Sequence, residues 1–273
     1  MSPLTVNARV IQAPPMSPAG DRSSGLTWRE HQTLGPETGF EALEQTLIEC
    51  VPGSSGARAT EDAEEVLFVL EGAGTLTAGG TAYALEPETG ASLAPHQSYQ
   101  VRNDSRQTLR IVAVRVPNAH LPAGDELLGP DGAKTAVVVR RLADQQAQGA
   151  TAAREYRIVG DPRTGLCSAT HFVGYIPAAR APDHFHTYDE VIYVLEGEGV
   201  FHAHGSEWPL TSGSCIQLPA RTVHCLENTG GQVMRVAGVF RPAGSPAAAY
   251  YPDGTPAHPD APPMEASPAT ATQ

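Results

Sequence analysis

The sequence predicts an all-β protein made of two tandem copies of one domain. One basis is composition: 27 Gly and 24 Pro in 273 residues, with 18% charged and 41% apolar, describe many turns between short strands and enough apolar mass for two cores. Another is patterning. Runs such as Val191-Ile192-Tyr193-Val194-Leu195 are β-branched and close on a turn, Glu196-Gly197-Glu198-Gly199. The third is an internal repeat. Glu65-Val-Leu-Phe-Val-Leu-Glu-Gly-Ala-Gly74 matches Glu190-Val-Ile-Tyr-Val-Leu-Glu-Gly-Glu-Gly199 at seven of ten positions, an offset of 125 residues from Glu65 to Glu190. The same offset pairs Pro52 with Pro177, Gly80 with Gly205, Leu85 with Leu210 and Pro117 with Pro242. A period this long marks two whole domains rather than a solenoid unit.

Taken in chain order, residues 1–34 read as an N-terminal arm. Its short apolar piece, Val6 to Ile11, suits a strand laid across a lobe. Residues 35–118 form the first lobe. Residues 119–154 form a linker, punctuated by Pro122, Gly124, Gly129, Pro130 and Gly132. Within it Thr135 to Arg140 is β-branched and predicts a strand, and Leu142 to Arg154 is the best helical candidate in the chain, although it carries Gly149. Residues 155–242 form the second lobe. Residues 243–273 are rich in Ala, Pro and Thr and predict a disordered tail, with Tyr250-Tyr251-Pro252-Asp253-Gly254 able to pack back on the second lobe.

The second lobe carries the chemistry. His184 and His186 are two apart, so on an extended segment both leave the same face, and Glu190 keeps that parity. His224 follows a further strand-and-turn unit, Gly213 to Pro219. Three imidazoles and a carboxylate make a complete ligand set for one divalent metal ion, either Fe, Mn, Ni, Cu or Zn. Six-coordinate geometry around such an ion keeps two positions for water, substrate or dioxygen.

These residues resemble the cupin superfamily. Its first motif, His-x-His, three or four residues, Glu, six residues, Gly, reads here as His184, His186, Glu190 and Gly197. Its second, Gly, five residues, Pro-x-Gly, two residues, His, three residues, Asn, reads as Gly213, Pro219, Arg221, His224 and Asn228. Arg221 stands where glycine is usual, and Ala178 where the first motif often opens with glycine; neither is a ligand position. The resemblance implies two tandem cupin domains, each a conserved β-barrel or jelly roll, with the metal site only in the C-terminal one. In the first lobe the repeat sets Ala59 against His184, Glu61 against His186 and Glu65 against Glu190, and a one-residue slip sets Gln100 against His224. No imidazole remains there, so the first lobe reads as a degenerate site kept for packing and dimerisation, the alternative being weak binding of a hard cation by Glu61, Glu65 and Gln100.

Pocket residues follow less directly. The resemblance puts a polar or sulfur residue near such a metal, which points to Gln217 and Cys215 on the strand leading to Pro219. Tyr193 and Phe172 read as core or pocket wall. His202 and His204 alternate with Phe201 and Ala203 and should face outward, and His171 reads as a surface or pocket histidine.

Cupins with this ligand set perform different chemistries. The first expectation is a metal-dependent, dioxygenase-type oxidoreductase on a small organic substrate, with Glu190 able to accept a proton. The alternatives are a redox-neutral isomerase, lyase or aminohydrolase, and a non-catalytic small-molecule-binding bicupin. A net charge of −12 disfavours nucleic acid and anionic membrane surfaces as partners. Four cysteines without a C-x-x-C pair, and no apolar run of signal-peptide length in the first 30 residues, predict free thiols in the cytoplasm. A homodimer is the assembly that the family resemblance implies.

Overall fold

A computed structural model describes residues 7–14, 27–119 and 137–264. Among these the chain forms twenty-one strands and three short 3-10 turns, with no α-helix. Each lobe is a pair of sheets. The first lobe has a six-stranded sheet in the order Val137–Arg141, Thr89–Leu93, Glu64–Glu71, Leu109–Val116, Glu44–Cys50, Trp28–Leu34, covered by a smaller sheet built around Ser98–Asn103 and Gly74–Ala78. The second lobe has a seven-stranded sheet in the order Arg9–Gln12, Ser214–Leu218, Asp189–Glu196, Met234–Arg241, Thr170–Ile176, Glu155–Gly160, Gln148–Gly149. Its partner sheet is Ser206–Thr211, Glu198–Ala203 and His224–Asn228.

The continuous apolar runs exist because both faces of the central strands are buried. On Asp189–Glu196, Ile192 and Val194 point into the barrel with Ile216 and Leu218. Val191 and Tyr193 point the other way, into a core shared with Leu47, Val66, Val112 and Val114 of the first lobe. The first lobe repeats this: Leu67 and Val69 face its own barrel, while Val66 and Phe68 face the second lobe. The two large sheets therefore pack face to face, and the interface between lobes is itself a hydrophobic core.

Strands from outside the repeat cover the matching edge of each large sheet. Arg9–Gln12 pairs antiparallel with Ser214–Leu218, Arg9 opposite Gln217. Val137–Arg141, the strand expected in the linker, pairs with Thr89–Leu93. Covering an edge in this way removes a template for unwanted strand pairing. Trp28–Leu34, inside the segment read as an arm, is a strand of the first lobe paired to Glu44–Cys50.

Two expectations are corrected. The helical candidate at 142–154 is a 3-10 turn at Leu142–Asp144, a strand pair at Gln148–Gly149 and a second 3-10 turn at Thr151–Ala153. Leu142 is its only buried apolar side chain besides partly buried Ala150, too little for a helical face, and Ala152 adopts a left-handed φ of 60°. The tail is ordered through Met264, although composition predicts disorder; residues 265–273 lie outside the described part. Phe185 and Tyr250 exchange backbone hydrogen bonds of 2.9 Å in both directions, and Ala247, Ala249, Tyr250 and Ala261 are buried. Backbone pairing anchors this segment, so small side chains suffice.

Candidate metal centre

Backbone pairing brings the three histidines together. His184 and His224 exchange hydrogen bonds, N–H to O at 3.0 and 2.8 Å, which ties the segment before Asp189–Glu196 to the start of His224–Asn228. The Arg221 N–H donates to the His186 carbonyl at 2.7 Å. Phe185, between the two histidines, points away and stacks on Tyr250 with ring centroids 5.5 Å apart. His184 and His186 therefore face inward together, as their spacing predicts. Ring centroids lie 5.1 Å apart for His184–His186, 4.5 Å for His184–His224 and 5.3 Å for His186–His224. One ring nitrogen from each falls within 4.8 Å of the others.

The other nitrogens are committed. Nδ1 of His184, His186 and His224 each meets a backbone carbonyl, of Pro182, Ala248 and Thr222 respectively, at 2.9 Å. A carbonyl only accepts, so each Nδ1 carries the proton and each Nε2 keeps its lone pair. Burial favours the neutral rings: it pushes His186 down to about 3, helped by the neighbouring His184, and pushes His224 well below its usual value. This donor set fits a divalent metal. The rings are neutral, their Nε2 atoms converge, and each ring orientation is fixed by a backbone acceptor on its far side.

Glu190 sits on Asp189–Glu196 opposite Leu218 and Phe240, and its side chain is 3% exposed. It lines the same cavity as the three histidines, yet its carboxylate lies outside their 4.8 Å group. Burial raises it to about 8. Gly238 makes room for it: a Cβ there would stand 3.0 Å from Glu190 Oε1 and 2.4 Å from the Phe172 ring. Tyr188 stacks on His186 at 4.6 Å and on Phe240 at 3.9 Å, which sets the plane of one ligand ring.

The cavity encloses about 810 Å³, part of it open to solvent, and its walls are mostly apolar, among them Phe172, Ile192, Leu226 and Val236. The tail contributes Ala247, Ala249 and Tyr251 to its wall. Arg154 also lines it, although it closes the segment 119–154 that reads as a linker. Arg154 and Tyr188 are the residues that sequence reasoning misses. Tyr188 fills a variable position between His186 and Glu190 of the first motif, and only the chain's path brings Arg154 to the site.

Of the four pocket residues expected beside the ligands, only Phe172 lines the cavity. Tyr193 and Cys215 lie in the core between the lobes, and Gln217 shares the strand face of Cys215. The Gln217 side chain accepts from Thr38 Oγ1 at 2.6 Å and donates to the Asn7 carbonyl at 3.1 Å, tying the first lobe and the arm to the second. Ile216 and Leu218 take the inward positions. The four cysteines are unpaired, and burial pushes the Cys215 thiol up to about 12. His202 is outside the barrel and bonds Glu227 at 2.8 Å. His171 is neither at the surface nor in the metal cavity; it is buried between the lobes against Phe68, centroids 5.4 Å apart.

The corresponding place in the first lobe is filled. Ala78 opposes Tyr99 just as Ala203 opposes His224, so the repeat offset holds and Tyr99, not Gln100, takes the place of His224. Arg58 opposes Tyr99, as His184 opposes His224. The Tyr99 hydroxyl donates to Glu65 Oε2 at 2.9 Å and accepts from Arg58 Nε at 3.4 Å. Arg58 itself lies over the Trp28 ring at 4.6 Å and pairs with Glu30. A guanidinium and a phenol thus meet the carboxylate that in the second lobe faces three imidazoles.

No functionally curated protein matches the sequence. Solved structures do match in fold. Protein Ylba from E. coli superposes with a TM-score of 0.66 at 12% identity, over 86% of this chain and 91% of that one. A putative glyoxylate-induced protein from Pseudomonas aeruginosa gives 0.64 at 23%, over 78% and 79%. A point mutant of Bacillus subtilis oxalate decarboxylase OxdC gives 0.59 at 12%, over 79% and 73%. At these identities the likeness is one of fold. The profile of the cupin domain matches residues 46–115 and again 171–240, the two repeats that pack face to face here, and the chain is therefore a cupin with two tandem domains.

Proposed function

We propose that the protein is a metal-dependent enzyme acting on a small organic substrate in the second-lobe cavity. The supporting observation is the commitment of all three Nδ1–H groups to backbone carbonyls, which leaves three neutral Nε2 donors for one ion. His184, His186 and His224 would hold it, with Glu190 as fourth ligand or as the acid–base group beside it. An ion such as Fe, Mn, Ni or Cu supplies redox chemistry with dioxygen, and Zn supplies Lewis-acid polarisation. The apolar walls keep bulk water from the reacting centre and orient the substrate body.

The first reading is an oxygenase-type oxidoreductase. The position of Glu190 favours a second, redox-neutral reading. Its carboxylate stands clear of the imidazole group yet faces the same cavity, so it can take a proton from substrate carbon or return one. Among the structural neighbours, OxdC is an oxalate decarboxylase, a precedent for small-carboxylate chemistry in this fold.

The test is metal content of the full chain by mass spectrometry, beside His224→Ala, followed by oxygen uptake. About one Fe, Mn, Ni or Cu per chain, lost in the variant, with metal-dependent oxygen uptake, supports the oxygenase. Zinc at that level, or turnover that persists without oxygen, supports the redox-neutral enzyme. No metal after reconstitution overturns both readings.

A further inference from the structure

Arg154 is the one cationic side chain lining the cavity outside the histidines, and no carboxylate among the described residues pairs with it. Several other partly buried arginines are ion-paired, Arg235 with Glu88 and Glu196, Arg110 with Glu71, Arg58 with Glu30, while Arg157 and Arg241 bond backbone carbonyls away from this cavity. Arg154 instead gives an Nη2 hydrogen to the Leu226 carbonyl, a contact that uses one of its five donors. Its backbone is fixed by a turn, Ala150 N–H to Arg154 O at 2.8 Å. A guanidinium cannot shed its proton, so an unpaired one beside apolar walls is costly until an anion meets it.

Its position is informative. Leu226 is two residues beyond His224 on the same strand, so the two side chains share the barrel face, roughly 7 Å apart along the strand. An anionic group on Arg154 therefore places the next atoms of its carrier toward the imidazoles. Facing them are Phe172, Ile192 and Val236, which offer no second cation. We infer that the cavity takes a monocarboxylate with an apolar body, its carboxylate held by Arg154 and its adjacent carbon presented to the three histidines and Glu190. This rests on the proposed reading of the cavity as a substrate site and names the class of substrate. Apart from a metal ion at the histidines, the cavity has no second cation for the far end of a compact dicarboxylate such as oxalate.

The test is calorimetric titration of the full chain, both after metal removal and after metal reconstitution, with 4-methylpentanoate, its amide and oxalate. The acid should bind at least about tenfold tighter than the amide, the usual worth of a charge-assisted hydrogen bond. On the metal-free protein it should also outbind oxalate. Arg154→Gln should remove the preference for acid over amide while leaving metal content unchanged, and Arg154→Lys should keep part of it. Melting temperature reports whether each variant folds. Equal affinity for acid and amide, tighter binding of oxalate to the metal-free protein, an unchanged preference in Arg154→Gln, or no binding of the acid overturns the inference. Metal content is read separately, so a protein without metal defeats the proposed enzyme while the acid–amide comparison still judges the cavity.

Discussion

His171 makes the interface between the lobes sensitive to acid. Its side chain is 1% exposed, its Nδ1 has no hydrogen-bond partner, and burial holds its pKa down at about 3. In the unfolded chain an imidazole titrates near 6.5. Above that value both states are neutral and His171 contributes nothing that depends on pH. Below it the unfolded state takes up a proton that the folded state refuses, so stability falls as pH drops from about 6.5 toward 3. At pH 5 the difference is about 1.5 pKa units, or about 2 kcal/mol. The assay is urea unfolding of wild type and His171→Leu at about pH 7.5 and pH 5. Other buried histidines titrate equally in both proteins and cancel in the comparison. The variant should lose about 2 kcal/mol less than wild type between the two pH values. Identical pH dependence in the two proteins would refute the reasoning, because it would mean that His171 accepts its proton in the folded state.

Three further outcomes are expected. Tyr99→Phe removes the hydroxyl between Arg58 and Glu65 and leaves a buried carboxylate without its donor, at a cost of about 1–3 kcal/mol by urea unfolding. Arg221 holds a φ of 64° where the family has glycine; Arg221→Gly relieves that strain and should raise stability by about 0.5–1 kcal/mol, read as a melting temperature a few degrees higher. Gly238→Ala sets a methyl 2.4 Å from the Phe172 ring and 3.0 Å from Glu190, and should cost about 1–3 kcal/mol in urea unfolding, because the ring must move into the cavity.

The histidine set is legible in the sequence because its information is local: a two-residue spacing on an extended segment sets the face, and turns of fixed length set the return. The pocket wall is not. Alternation tells inside from outside only when one face of a strand meets water, and here both faces of Asp189–Glu196 and Ser214–Leu218 are buried. Tyr193, Cys215 and Gln217 thus fall on the wrong side of a choice that burial alone cannot make, since the second lobe's outer face is the first lobe's neighbour. Gln100 is misplaced by a one-residue slip in a loop, which the strand pairing of Ala78 with Tyr99 does not contain. Arg154 is non-local, brought to the cavity by a turn that composition presents as a linker. The tail illustrates the opposite error: a segment poor in large apolar groups reads as disordered, yet hydrogen bonds to Phe185 give it a place.

The strand Arg9–Gln12 precedes the first lobe in sequence but completes the sheet of the second. Sequence order and structural membership therefore differ, and a cut between the repeats does not yield two self-contained halves. The C-terminal half made alone would present Ser214–Leu218 as an open edge on the strand that leads to Pro219 and the loop carrying His224. Adding the N-terminal peptide in trans should restore what the cut removes. The first lobe, whose ligand place is already filled, then has a use besides packing: it carries the missing piece of its neighbour to where that piece belongs.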